Sequence, residues 1–291
     1  PAASIHVLGD ATVDGAAATL TTSGPSVLDV DGATFVRNGG TFDGTGGSHL
    51  FGGALDCTPS GTLVHDPSTI FTFDGATNAV VSCPTLPEVR CAKTTGSSLT
   101  LPTGTALSAD LRGVSGDLVL DGGGSVSIAG SLFGSGGTFA TANGAIADVA
   151  GNVVFDAPAP AATGIADVEV AGNWSANASF APTAGVVRFD GAAQAIGAAG
   201  AYAGPLFFFA CVVNASSTTT LGAPVQFRGS LDVSGALTVS GATLGAAPFV
   251  LEARDDFAIG AGGVYAPGGL PTNVAGSFSC ANPAGLPQSS T

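Results

Sequence analysis

Residues 168–197 read VEVAGNWSANASFAPTAGVVRFDGAAQAIG, residues 205–213 read PLFFFACVV, and residues 218–244 read TTTLGAPVQFRGSLDVSGALTVSGATL. Apolar residues alternate with small or polar ones at Val168/Val170, Val187/Phe189, Val225/Phe227, Leu231/Val233 and Leu237/Val239. Period-two alternation puts one set of side chains on one face of a strand. Gly, Asp-Gly or Pro interrupts each run after about three to six residues, and these residues mark turns. Strand and corner in steady succession predict a chain wound repeatedly about one axis: an all-β, single-stranded β-solenoid with short strands and Gly or Asp-Gly corners. The same alternation points Val170, Val187, Phe189, Val225, Phe227, Leu231, Val233, Leu237 and Val239 inward. It points Arg188, Asp190, Arg228 and Asp232 outward.

The composition agrees. Of 291 residues, 45 are glycine and 17 proline, yet 45% are hydrophobic and only 10% charged, the reverse of a disordered chain. No apolar run approaches the ~18 residues of a membrane helix, so membrane insertion is not expected. Glycine interrupts every candidate 3.6-residue stripe, and methionine is absent, so helix is not expected either. The 7 basic and 21 acidic residues give a net charge of -14. A nucleic-acid partner needs a basic stripe, and an anionic lipid surface needs basic clusters; the chain has neither. Its acidity suits solubility and mutual repulsion.

Working outward along the chain, residues 1–50 predict short strands at Ser4–Leu8, Ala11–Val13, Ala18–Thr21, Val27–Val30 and Thr34–Val36. Residues 52–104 hold three of the five cysteines and several prolines. They predict a less regular insertion or loop-rich coil that still carries strands at Ile70–Phe73 and Ala79–Ser82. Regular alternation returns over residues 107–155, Pro158-Ala159-Pro160 predicts a rigid corner, residues 249–278 predict one or two looser turns, and residues 281–291 a frayed tail. The whole, 1–291, reads as one domain.

An internal repeat supports the coil. SVSIAGSLFGSGGTF (125–139) aligns with DVEVAGNWSANASF (167–180), placing Ile128 over Val170 at a separation of 42 (170 − 128). An earlier copy is VLDVDGATFVRNGGTF (27–42) and a later one VLEARDDFAIGAGGVY (250–265). FDG recurs at 42–44, 73–75 and 189–191. A unit of this length predicts two coils of about 20–25 residues, each needing its neighbours to bury its apolar face. At about 22 residues per coil the chain makes about 13 turns.

The succession V-x-V-x-G-x-W, F-x-P-x-x-G-x-V-x-F-D-G, Q-x-I, an apolar run, T-T-L and L-x-V-x-G-x-L-T-V-S-G-A-T-L resembles repeats of large secreted bacterial surface proteins. These are the filamentous-haemagglutinin-like and autotransporter-like adhesins. The likeness covers residues 168–244 well and 25–156 loosely. It implies a right-handed β-helical stalk that is exported and repetitive, and it implies no chemistry.

Candidate sites are few. The start, Pro-Ala-Ala-Ser, looks like an end left by a signal peptidase, and export favours disulfides. Cys83 and Cys91 flank a proline-containing segment, and a disulfide between them is expected to close it. Among the carboxylates, Asp29 and Asp31 share a strand face, too little for a glycosidase site. Nor do His65-Asp66 with Ser60 or Ser68 make a nucleophile elbow, so no catalytic residues, cofactor or resident metal are expected. Asp-Gly pairs at 14, 31, 43, 74, 121 and 190 are the default tight turn, with Ca²⁺ the alternative. Trp174 is expected in the core. Phe207-Phe208-Phe209 breaks the alternation, so at least one ring should face outward. Asn173, Asn177 and Asn214 fit the glycosylation pattern.

A solenoid's ends are open sheet edges. The apolar first strand, with Ile5 and Val7, and the rings Phe207 and Phe208 are the candidates for self-assembly. The expected function is therefore an exported subunit of an extracellular filament or surface fibre, its partners copies of itself. The alternatives are an adhesin stalk or glycan-binding module, and a polysaccharide-degrading enzyme on the same fold.

Overall fold

A computed structural model describes residues 4–22, 24–157, 164–240, 242, 249–282 and 284. The expected Pro158-Ala159-Pro160 corner and nearly all of the expected tail lie outside the described residues. The chain is all-β, without an α-helix among the described residues, and forms a parallel β-solenoid of about 13 turns. It falls into two compact units, residues 1–148 and 149–291.

In the first unit each turn carries three short strands on three sides of the coil. One side stacks Ser4–Val7, Val27–Val30, Ser48–Phe51, Ile70–Phe73, Glu88–Ala92, Leu111–Ser115 and Leu132–Gly134. The second side begins with Ala11–Asp14 on Thr34–Arg37 and ends with Asp117–Asp121 on Thr138–Ala142. In the second unit one side stacks Val153–Phe155, Trp174–Ala176, Gln194–Ala198, Thr218–Leu221, Ala236–Val239 and Val264–Ala266. A facing side runs from Val168–Val170 to Phe278–Cys280. Leu111 sits on Leu132 and Val153 on Trp174, a turn of 21 residues each (132 − 111, 174 − 153). The 42-residue sequence repeat is therefore two turns.

Of the two readings of segment 52–104, the structure shows coil rather than insertion. Its strands, including Ile70–Phe73 and Ala79–Ser82, pair in parallel with the turns before and after them. Pro59, Pro67, Pro84 and Pro87 fall in the corners that a coil needs between short strands, and Pro102 ends the strand Ser98–Pro102. The expected Cys83–Cys91 disulfide is wrong. Cys83 is bonded to Cys57, with Cα atoms 4.9 Å apart, and Cys91 is a buried free thiol. Between Cys83 and Cys91 the chain turns a corner and makes the strands Thr85–Leu86 and Glu88–Ala92, which belong to different sheets. Cys57 and Cys83 are 26 residues apart and stack on successive turns. That stacking brings their Cα atoms within the 4.4–6.8 Å that a disulfide spans.

The core is apolar and aromatic. Val170, Val187, Phe189, Val225, Phe227, Leu231, Val233 and Leu237 are buried as expected. Val239 is only half-buried, because the next turn pairs with Ala236–Thr238 and stops short of it. Asp190, Arg228 and Asp232 are exposed and Arg188 is half-buried. Trp174 is buried against Phe155, Phe180, Phe189 and Phe208 in the second unit, and Phe42, Phe51, Phe71 and Phe73 cluster in the first. The FDG motif is now explained: its ring is buried at Phe42, Phe73 and Phe189. Its glycine lets the turns close. A Cβ on Gly191 would lie 1.9 Å from the Ala171 carbonyl oxygen, and Gly75 takes φ +77°.

The Phe207–Phe209 run resolves by the same rule. Leu206 and Phe208 point inward, and Phe208 is wholly buried, stacked on Phe227 one turn on. Phe208 is therefore a core residue and not part of any joint. Phe207 faces out, with the Arg228 guanidinium 5.3 Å from its ring centroid. Truncating the wholly buried Phe227 to alanine is expected to cost about 3–5 kcal/mol in urea unfolding. Arg228→Ala, at an exposed position, is expected to cost less than about 0.5 kcal/mol; equal losses would mean the inward register is wrong.

Candidate functional site

Where the chain turns a corner, the strand ladder is interrupted and backbone groups need other partners. Buried polar side chains supply them. His49 Nδ1 accepts from the Leu28 amide, and its other ring nitrogen bonds the Gly44 carbonyl at 3.0 Å. The Gln194 amide donates to the Val170 and Gly172 carbonyls and accepts from the Gly191 amide. Lys93, the single lysine, is wholly buried and donates to the carbonyls of Gly52 and Asp74. None of these three roles was visible in the sequence, because each depends on which residues stack.

Corner acids and amides do the same on the outside. Asp10 accepts from the Ala33 amide, Asp110 from Ser131, Asn152 from Asn173, Asn173 from Ala195 and Asp256 from Ser277, each 21–23 residues on. Among the Asp-Gly pairs weighed for Ca²⁺, Asp14 accepts from Asn38 and Asp121 from Asn143. Asp43 accepts from Thr45.

The basic residues are committed within the chain. Arg112 bonds Glu88 and Asp110 and lies 3.9 Å from the Phe133 ring centroid. Arg90 pairs with Glu88, Arg37 with Asp56, Arg188 with Glu169 and Arg254 with Glu252. With Arg228 over Phe207 and Lys93 buried, all 7 cations have internal partners. Asp66 accepts from Ser68 and Thr69. The buried Cys91 and Cys211 thiols are pushed up in pKa by desolvation, which leaves them unreactive at neutral pH.

Two surfaces stand apart from this internal bookkeeping. The first is the strand Ser4–Val7. It pairs on one side with Val27–Val30, and no described strand pairs with its other side. Ile5 is 46% and Leu8 81% exposed, whereas Val7 is half-buried. On the outer face His6 stacks on Asp29, and its Nε2 lies 3.7 Å from Asp29 Oδ2 and 3.1 Å from Asp31 Oδ1. The second surface is an open apolar groove of about 330 Å³ among Phe257, Tyr265, Leu270, Val274 and Phe278, with Phe278 47% exposed.

No helix among the described residues is long and apolar enough to cross a membrane. No family model, curated protein or solved structure matches this chain.

Burial holds the His49 pKa below its ordinary 6.5, against a smaller raising effect of the Gly44 bond. Because the folded pKa is depressed, the unfolded chain takes up a proton that folded His49 refuses as pH falls through 6.5. The His49 contribution to stability is therefore full above 6.5 and lost on acidification. Wild type is expected to lose more stability than His49→Gln between pH 7.5 and 5.5 in urea melts. The reverse order would mean that the ring is charged in the folded protein.

Proposed function

We propose that this protein is a structural subunit of an extracellular fibre that assembles end to end through its solenoid edges. The observation that carries this reading is the unpaired, apolar edge of Ser4–Val7, with Ile5 and Leu8 exposed. At the other end of the strand order, Val264–Ala266, Thr272–Val274 and Phe278–Cys280 each have a described partner on one side only. Val264 and Phe278 are exposed there. Among the described residues the strand pairings are parallel, between one turn and the next. A second copy adding its first turn to the last one would extend the same ladder, the edge addition that free strands invite.

The charge favours this geometry over clumping. With a net charge of -14, flanks repel over a Debye length of about 8 Å at physiological salt. An edge-to-edge joint satisfies unpaired N–H and C=O groups while bringing the least like charge together. The contact is head to tail, so each joint leaves one edge of each kind free for the next copy. Glycan binding by an adhesin-like stalk is the second reading of the same architecture, and it too leaves the chain extracellular.

The polarity of the joint supplies the test. The untagged chain is expected to form linear polymers in sedimentation velocity and negative-stain images. Ile5→Lys blocks one edge and Phe278→Lys the other, so each variant alone should stay monomeric. An equimolar mixture still holds one intact edge of each kind and should stop at dimers. A wild type that stays monomeric at high concentration, or a mixture that does not dimerise, would reject the fibre reading.

A further inference from the structure

We propose that His6, Asp29 and Asp31 form a binding site for one divalent transition-metal ion of the Zn²⁺ class, tying the first turn of the solenoid to the second. The three residues come from two turns: His6 from Ser4–Val7, and Asp29 and Asp31 from and just after Val27–Val30. Register puts His6 directly on Asp29. Asp31, in the bend just after that strand, brings its Oδ1 to 3.1 Å from the same ring nitrogen. The Asp31 amide also donates to the Val7 carbonyl, which fixes the approach of the second turn at that point.

The ligand atoms already converge. All three lie within 4.8 Å of one another. Bonds of about 2.0–2.2 Å from Zn²⁺ to imidazole and carboxylate at tetrahedral angles require ligand atoms about 3.2–3.6 Å apart. The observed 3.1 and 3.7 Å from His6 Nε2 to the two carboxylate oxygens bracket that range. Two carboxylates neutralise the ion's charge, and the exposure of His6 and Asp31, with Asp29 half-buried beside them, leaves room for water in the remaining positions. One nitrogen and two oxygens select a borderline ion over Ca²⁺ or Mg²⁺, which prefer oxygen alone. The other two histidines do not compete: His49 is buried with both nitrogens bonded, and His65 is half-buried.

Titration calorimetry of the untagged full chain with Zn²⁺, in a non-chelating buffer at pH 7.5, is expected to show one site per chain. His6→Ala and Asp31→Asn should each weaken it at least tenfold. Both positions are exposed, so circular dichroism should show the fold unchanged. Hydrogen exchange at residues 4–7 should slow when Zn²⁺ is added to wild type and not to His6→Ala. A hundredfold excess of Ca²⁺ should not displace the ion. Absence of uptake, uptake indifferent to both substitutions, or displacement by Ca²⁺ would each overturn the site, leaving a plain ion pair between His6 and the two aspartates.

Discussion

The parallel ladder between successive turns is the interaction on which everything else in this protein depends. Strands of two to five residues cannot persist alone, and each has an apolar face that only the neighbouring turns can cover. The ladder sets a fixed rise per turn, so side chains one turn apart meet in columns. That geometry stacks Phe208 on Phe227 and Cys57 on Cys83. It also dictates glycine where turns crowd, as at Gly191 against Ala171.

Corners are the weak points of such a coil, since the ladder breaks wherever the chain bends. A buried carbonyl or amide left without a partner costs about 1–3 kcal/mol. The protein answers with side chains: His49, Gln194 and Lys93 reach back one turn or more from within, and Asp10, Asp110, Asn152 and Asp256 reach forward one turn from outside. Much of the acidity visible in the composition thus has a structural use. Oxygen acceptors at corners bond the next turn's amides, and the few cations are held by carboxylates, rings or carbonyls.

The alternation of Val187, Phe189, Val225, Phe227, Leu231 and Val233 made the fold and the inward face legible in the sequence, because period two depends only on nearest neighbours. Contacts between turns were not legible. Turn length varies, from 18 residues between Ile70 and Glu88 (88 − 70) to 28 between Ala236 and Val264 (264 − 236). The residue lying one turn above another therefore cannot be counted off. That is why Cys57 was not seen as the partner of Cys83, nor His6 as the neighbour of Asp29 and Asp31. Phe208 was misjudged for a related reason: three consecutive rings hide which of them keeps the inward parity.

Register is therefore the central claim, and it can be read directly by disulfide trapping. Glu169 and Arg188 are outward-facing register partners on successive turns, within reach of a disulfide if both are cysteine. In a background with Cys91, Cys211 and Cys280 replaced by serine, Glu169→Cys with Arg188→Cys should cross-link under mild oxidation. Glu169→Cys with Val186→Cys, two residues out of register on the same face, should remain reduced. Cross-linking of the second pair and not the first would contradict the stack of turns described for this protein.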